Sequence, residues 1–167
     1  DSILAAFLRG KNEMEKATAQ KNIPIVYPFG FNLSQRKAVE NALRNPISII
    51  EGPPGTGKTQ TILNIIANAV MRGESVAVVS SNNSATANVF EKLKKYGVEF
   101  IAAPLGNLAN REAFLEKQEL YLPDMEAWEQ PPNASSNLRV AEINLNNALK
   151  IQNHLSQCTA ELNAAQN

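Results

Sequence analysis

One stretch limits the folds open to this 167-residue chain more than any other: Pro46–Met71, PISIIEGPPGTGKTQTILNIIANAVM. Within it Gly52–Thr59 reads GPPGTGKT, which is GxxxxGK followed by Thr, matched through Gly52, Gly57, Lys58 and Thr59. An apolar run of strand character (Ile47, Ile49, Ile50) precedes it, and a helical apolar pattern (Ile62, Ile65, Ile66, Ala69, Val70) follows. A chain that turns through glycines straight into a helix gathers inward-facing N–H groups, the positive end of the helix dipole and a lysine around one anion-sized space. The natural ligand is a triphosphate. Lys58 is expected to reach its β and γ phosphates, and the Thr59 hydroxyl to take one position on Mg²⁺. Gly52, Pro53, Pro54, Gly55, Thr56, Gly57, Lys58, Thr59 and Gln60 are therefore the expected nucleotide site, with Lys58 and Thr59 as its catalytic members and Thr59 as the Mg²⁺ ligand.

The rest of the chain falls into place around that loop. Ile3, Leu4, Phe7 and Leu8 are spaced for a helix interrupted at Gly10, and Pro24 and Pro28 hold IPIVYPFGFN extended. A helix is predicted from Leu33 to Arg44, stopped by Asn45-Pro46. Next come a strand at Ile47–Ile50, a helix at about Lys58–Arg72 capped by Gly73 and a strand at Ser75–Ser80. A helix at about Ser84–Tyr96, capped by Gly97, and a strand at Val98–Ala102 follow. This β-α-β-α-β order predicts an α/β fold with a partial parallel sheet, right-handed crossovers and flanking helices, the class of P-loop nucleoside triphosphatases. After Pro104 the pattern turns helical again through Ala113, Phe114 and Leu115.

Residues 1–122 thus read as one partial nucleotide-binding domain with a helical and extended lead-in over 1–32. Residues 123–133, with Pro131-Pro132, read as a linker. From Ala134 to Asn167 there is no glycine or proline, and Leu138, Ala141, Leu145, Ala148, Leu155 and Leu162 fall on a and d heptad positions. One long helix is expected there, a coiled-coil-like arm that self-associates or pairs with a returning helix. His154 and Cys158, four apart on it, are read as surface or seam positions rather than as a metal site.

Bulk composition narrows the setting. Sixteen basic and sixteen acidic residues cancel, so no global field points to nucleic acid; such a contact has to be local. A single cysteine, Cys158, cannot form an internal disulfide, and no apolar run is long enough to span a membrane. A cytoplasmic, or at least intracellular, location is expected, in which the N-glycosylation patterns at Asn32, Asn82 and Asn133 are idle. A start at Asp1 suggests a piece of a longer protein.

Two neighbouring stretches bear on which nucleotide and which partner. The Gln35 amide can read adenine in both senses, accepting from N6–H and donating to N7, which would select ATP. Equally, Asn32 followed three residues later by Gln35 is a capping box, and both readings stand on the residues alone. Ser80–Ser84 places five small polar residues where a strand is expected to meet a helix. They can hold a sugar-phosphate backbone or simply cap the helix.

FNLSQRKAVENAL, PISIIEGPPGTGKTQTI and VAVVSSNNSATANVFEKL closely resemble the glutamine motif, motif I and motif Ia of superfamily 1 helicases, in the branch that includes the nonsense-mediated-decay RNA helicase. The resemblance covers roughly Tyr27–Leu93. It implies the amino-terminal part of a RecA-like motor domain. Gln35 would select adenine, the loop would hold ATP and Mg²⁺, and Ser81 and Asn83 would hold single-stranded DNA or RNA. The family usually carries Ala-Pro-Ser-Asn at motif Ia; Ser80-Ser81-Asn82-Asn83 keeps the last asparagine and lacks the proline.

Hydrolysis needs more than a loop. A Mg²⁺ carboxylate and a base normally come from an apolar strand ending in Asp-Glu, yet Asp1 and Asp124 are the only aspartates and neither follows such a strand. No arginine can be assigned as a transition-state finger. In the family these groups, and the second RecA-like domain, lie beyond the matched motifs. The chain is therefore expected to bind ATP-Mg²⁺ with little turnover, as a fragment of an ATP-dependent DNA or RNA helicase. The alternatives are another P-loop ATPase, such as a chaperone-like ring motor, or a helical interaction module with a vestigial loop. A GTPase is disfavoured because no Asn-Lys-x-Asp stretch occurs.

Overall fold

The computed structural model describes residues 24–117 and 131–165. The helix expected near the start and most of the expected linker lie outside them. Within them the helices are α1 (Leu33–Arg44), α2 (Lys58–Met71), α3 (Asn83–Lys95), α4 (Leu108–Lys117) and α5 (Ala134–Ala165), with one 3₁₀ turn at Glu99–Ile101. The chain divides into two units, Asp1–Met125 and Glu126–Asn167.

Local chemistry sets the helix limits. Asn32 and Gln35 close a reciprocal capping box on α1. The Gln35 N–H donates to Asn32 Oδ1 at 2.9 Å, and the Asn32 N–H donates to Gln35 Oε1 at 2.8 Å. Helices α2 and α3 both end at a left-handed glycine. Gly73 (φ 73°) donates to Val70 O and Glu74 to Ala69 O, and Gly97 (φ 69°) donates to Lys94 O and Val98 to Leu93 O. These paired bonds satisfy carbonyls that a helix end otherwise leaves open.

The first three described helices pack in sequence order, α1 on α2 and α2 on α3, with α3 meeting the 3₁₀ turn. Leu63 and Ile66 of α2 join Val89 and Leu93 of α3 in one apolar cluster, against which Phe29, Val98 and Ala102 pack. On α1, Val39 and Leu43 are buried. Burial of each such side chain contributes roughly 1.5–3 kcal/mol.

Amides do the rest of the fastening. Gln60, Asn64 and Asn68 stand one turn apart on α2 and hold the lead-in backbone as a neighbouring strand would. Asn68 accepts from the Val26 N–H at 2.9 Å and donates to Val26 O at 2.7 Å. Asn64 accepts from the Phe29 N–H at 3.3 Å and donates to Gly30 O at 2.8 Å, and Gln60 donates to Phe29 O. Both asparagines are fully buried, so each bond replaces water that is no longer there.

The three expected strands are corrected by the structure. Among the described residues no segment is a strand, and no backbone hydrogen bond joins residues 47–50 to residues 75–80. A parallel strand needs paired neighbours and cover on both faces. Here Ile49 is 76% exposed and Val79 88%, so neither condition is met. Residues 98–102 spend their backbone elsewhere: the Val98 N–H closes α3 on Leu93 O, and the Ala102 N–H closes the 3₁₀ turn on Glu99 O at 2.9 Å.

In the second unit α5 runs for 32 residues, which at 1.5 Å per residue is about 48 Å. None of its side chains is buried. Leu155 and Leu162 of the heptad pattern are more than half exposed, but so are Val140, Ile143 and Ile151 outside it. Its apolar surface is therefore wider than a two-position seam. No helix among the described residues is long and apolar enough to cross a membrane.

Two outcomes follow from the amide contacts and their neighbourhood. Asn68→Ala removes both hydrogen bonds to the partly buried Val26 backbone and empties a fully buried position, and is expected to lower the urea-unfolding free energy by about 2 kcal/mol, whereas exposed Asn45→Ala changes it by less than about 0.5 kcal/mol. The Tyr27 phenol, withdrawn from water and beside the Glu40 carboxylate, is pushed up to about 12 from 10.0. Unfolded chains release this proton first, so stability is expected to fall as pH rises from about 10 to about 12, a loss that Tyr27→Phe removes.

Candidate nucleotide site

Where α1 and α3 begin, an asparagine side chain closes the first turn; where α2 begins, nothing does. The residue before Lys58 is Gly57 at φ 81°, with no side-chain cap. The first backbone bond into the helix runs from the Thr61 N–H to Gly57 O at 3.1 Å. No described backbone hydrogen bond uses the N–H of Gly55, Gly57, Lys58 or Thr59. Four donors at the positive end of a 14-residue helix are thus left for an anion.

The glycines are required by close approach. A Cβ on Gly57 would stand 2.1 Å from Gln35 Nε2, and one on Gly52 would stand 2.7 Å from Thr56 Oγ1. At Gly55, with φ 86°, a Cβ would meet nothing within 4 Å, so there only the backbone conformation favours glycine. Thr56 braces the turn by donating its hydroxyl to Pro53 O at 2.8 Å.

Gln35 does two jobs at once. While its oxygen closes the capping box, its Nε2 faces Thr56 O at 3.2 Å, Gly57 O at 3.4 Å and Gln60 Oε1 at 3.3 Å. The capping reading of this residue is realised, and an unforeseen tie to the loop is added. Lys58 turns back onto the loop and donates to Pro53 O at 2.9 Å and to Gly52 O. Its ammonium is held by neutral carbonyls, and a phosphate oxygen would be the better acceptor because it carries the opposite charge.

Beside the loop lies a cleft of about 560 Å³, within the usual range for ligand sites. Pro54, Gly55, Gly57, Lys58, Thr59 and Gln60 line one side, and Asn88 and Lys92 of α3 with its C-cap residue Tyr96 line the other. Gly52, Pro53, Thr56 and Gln35 do not line it. Ser81 and Asn83 do not either; they lie exposed at the start of α3. The capping there belongs to Asn82, whose Oδ1 accepts from the Ser84 N–H at 2.9 Å and from the Ser84 hydroxyl at 2.8 Å. On α5, Cys158 Sγ meets His154 Nε2 at 3.9 Å, and no group of three metal-ligating side chains gathers among the described residues.

Sequence reasoning missed Asn64, Asn68, Asn88, Lys92 and Tyr96. The signal was present: Gln60, Asn64 and Asn68 recur every fourth residue in a helix otherwise rich in isoleucine, and Asn88, Lys92 and Tyr96 share the same spacing.

Gly57→Ala is expected to disrupt the loop through both φ and the Gln35 contact, lowering stability by about 2 kcal/mol or more and abolishing anion binding. Gly55→Ala carries only the backbone term, about 1 kcal/mol. Paired urea melts and phosphate titrations of the two variants distinguish these outcomes.

Several known proteins are similar in sequence to part of this chain. DNA polymerase alpha-associated DNA helicase A of Schizosaccharomyces pombe is 34% identical over 97 residues, which are 56% of this chain and 15% of that protein. DNA-binding protein SMUBP-2 of Mus musculus is 44% identical over 68 residues, 40% of this chain and 7% of that protein. Regulator of nonsense transcripts 1 of Caenorhabditis elegans is 41% identical over 71 residues, 42% and 7% respectively. The chain therefore spans 15% or less of the length of these relatives. They bear out the resemblance to superfamily 1 helicases that the motifs carry. No solved structure matches the chain. Residues 30–121, more than half of the chain and including the whole phosphate loop, match one family along their length: the chain belongs to the AAA domain family.

Proposed function

We propose that this chain is the ATP-Mg²⁺-binding part of an ATP-dependent superfamily 1 helicase acting on DNA or RNA. The observation that carries the reading is the uncapped start of α2, with four unused N–H donors and Lys58 parked on the carbonyls of Gly52 and Pro53. A triphosphate fits this cradle, since it supplies acceptors for the free donors and draws the ammonium forward. Mg²⁺ would be held by the Thr59 hydroxyl, phosphate oxygens and water, and when bound it spreads the charge that develops on the phosphates. For Gln35, which is buried and outside the cleft, to read adenine, it has first to be uncovered; its Nε2 then exchanges Gln60 Oε1 for N7 while one oxygen lone pair, left over from the capping box, accepts N6–H.

Ser81 and Asn83 are proposed to hold the sugar-phosphate backbone of a single strand. Support comes from Asn82 taking over the capping, which leaves the two neighbouring side chains exposed to solvent. The apolar stretches 47–50 and 75–80 are proposed as sheet strands of the larger protein, their exposed Ile49, Val76 and Val79 covered there. The long helix α5 is proposed as a coiled-coil arm.

Calorimetric titration tests the nucleotide reading. ATP-Mg²⁺ is expected to bind the chain, GTP-Mg²⁺ to bind at least tenfold more weakly, and Lys58→Ala to weaken ATP binding by about tenfold or more. Turnover is expected to be negligible, because no apolar stretch ending in Asp-Glu occurs in the sequence. Helicase-like turnover abolished by Lys58→Ala would contradict that part of the proposal, and no binding of any nucleotide would contradict the whole.

A further inference from the structure

Helix α3 presents a face that its packing role does not explain. Asn88, Lys92 and Tyr96, one turn apart, line the same cleft as Gly55, Gly57, Lys58 and Thr59. The last turn of α3 carries three lysines, Lys92, Lys94 and Lys95, and complementing the helix dipole would be served by any of them. Of the three, Lys92 lines the cleft.

The wall is fixed in place rather than merely nearby. Tyr96 packs edge-on against Phe29 with ring centroids 4.8 Å apart, and Phe29 is held in turn by Asn64 and Gln60, the latter one residue from Thr59. No ion pair among the described residues engages Lys92, whereas Arg36 and Arg44 both face Glu40. A triphosphate carries more negative charge than one lysine and a helix dipole neutralise, and a lysine stem is long and flexible enough to follow it.

We infer that Lys92 is a second phosphate-binding cation of this nucleotide site, supplied across the cleft by α3. The inference rests on the nucleotide reading above. It has a consequence for coupling: the helix that begins at Asn83, two residues from Ser81, would carry a nucleotide contact about two and a half turns further on. Movement of α3 on phosphate release would then be felt at the loop proposed to hold nucleic acid.

The test is titration of ATP-Mg²⁺ and of inorganic tripolyphosphate into the wild-type chain and into Lys92→Ala, Lys92→Arg, Lys94→Ala and Lys58→Ala, with circular dichroism to confirm equal helix content. Lys92→Ala is expected to weaken both ligands by about tenfold, as loss of one hydrogen bond between charged groups does. Lys92→Arg is expected to restore binding to within about threefold, and Lys94→Ala to stay within about twofold of wild type: both lysines are exposed, but Lys94 does not line the cleft. Wild-type affinity in Lys92→Ala, or an equal loss in Lys94→Ala, overturns the inference while Lys58→Ala still reports on the nucleotide site. If the wild-type chain binds neither ligand, the nucleotide reading falls and Lys92 falls with it.

Discussion

A carbonyl at the start of a helix has to face something, and at Gly57 it faces the amide of Gln35 as well as the Thr61 N–H. That junction depends on the absence of a side chain at Gly57, since a Cβ there would occupy the place of the amide nitrogen. Through Gln35 the start of α1 and the phosphate loop become one hydrogen-bonded unit, because the same side chain closes the capping box with Asn32. Through Gln60 the unit extends to Phe29, and through Asn64 and Asn68 to Gly30 and Val26. The loop is therefore held by amides that bond its carbonyls, and the N–H groups of Gly55, Gly57, Lys58 and Thr59 have no described backbone partner. Amides suit this task because each offers both a donor and an acceptor, as a backbone edge does.

This arrangement explains why the loop can be shaped before a ligand arrives. The carbonyls of Gly52 and Pro53 occupy Lys58, and Pro53 O also takes the Thr56 hydroxyl. An arriving phosphate would draw away only the lysine, for which an anionic oxygen is a better acceptor than a neutral carbonyl, and would leave the rest standing. Little ordering has then to accompany binding, which is the usual route to useful affinity from a small site.

The sequence was most legible where chemistry is local. The helix of Leu33–Arg44 and the glycine stops at Gly73 and Gly97 follow from caps and periodicity, and the structure has them where the pattern puts them. Long-range placement was less legible. Strand patterns at Ile47–Ile50 and Ser75–Ser80 describe what those residues suit, but a strand exists only with a partner, and the pattern carries no information on whether one is present. At Val98–Ala102 two local bonds, one closing α3 and one closing a 3₁₀ turn, outcompete an extended conformation. Of the residues that line the cleft, the motif names Pro54, Gly55, Gly57, Lys58, Thr59 and Gln60 but not Asn88, Lys92 and Tyr96, and Lys92 has a sufficient local role in the dipole of its own helix. Asn64 and Asn68 escaped notice for a related reason: their partners are backbone groups some 34 to 42 residues away, which have no side-chain signature.

The central claim is that the unused N–H groups between Gly55 and Thr59 are the anion site. Amide chemical shifts of a nitrogen-15-labelled chain, followed while ATP-Mg²⁺ is added, test it most directly. The account predicts that the Gly55, Gly57, Lys58 and Thr59 signals move furthest and together, and that Lys58→Ala suppresses the movement. Shifts confined to exposed lysines such as Lys94 and Lys95, with the loop signals unmoved, would contradict it.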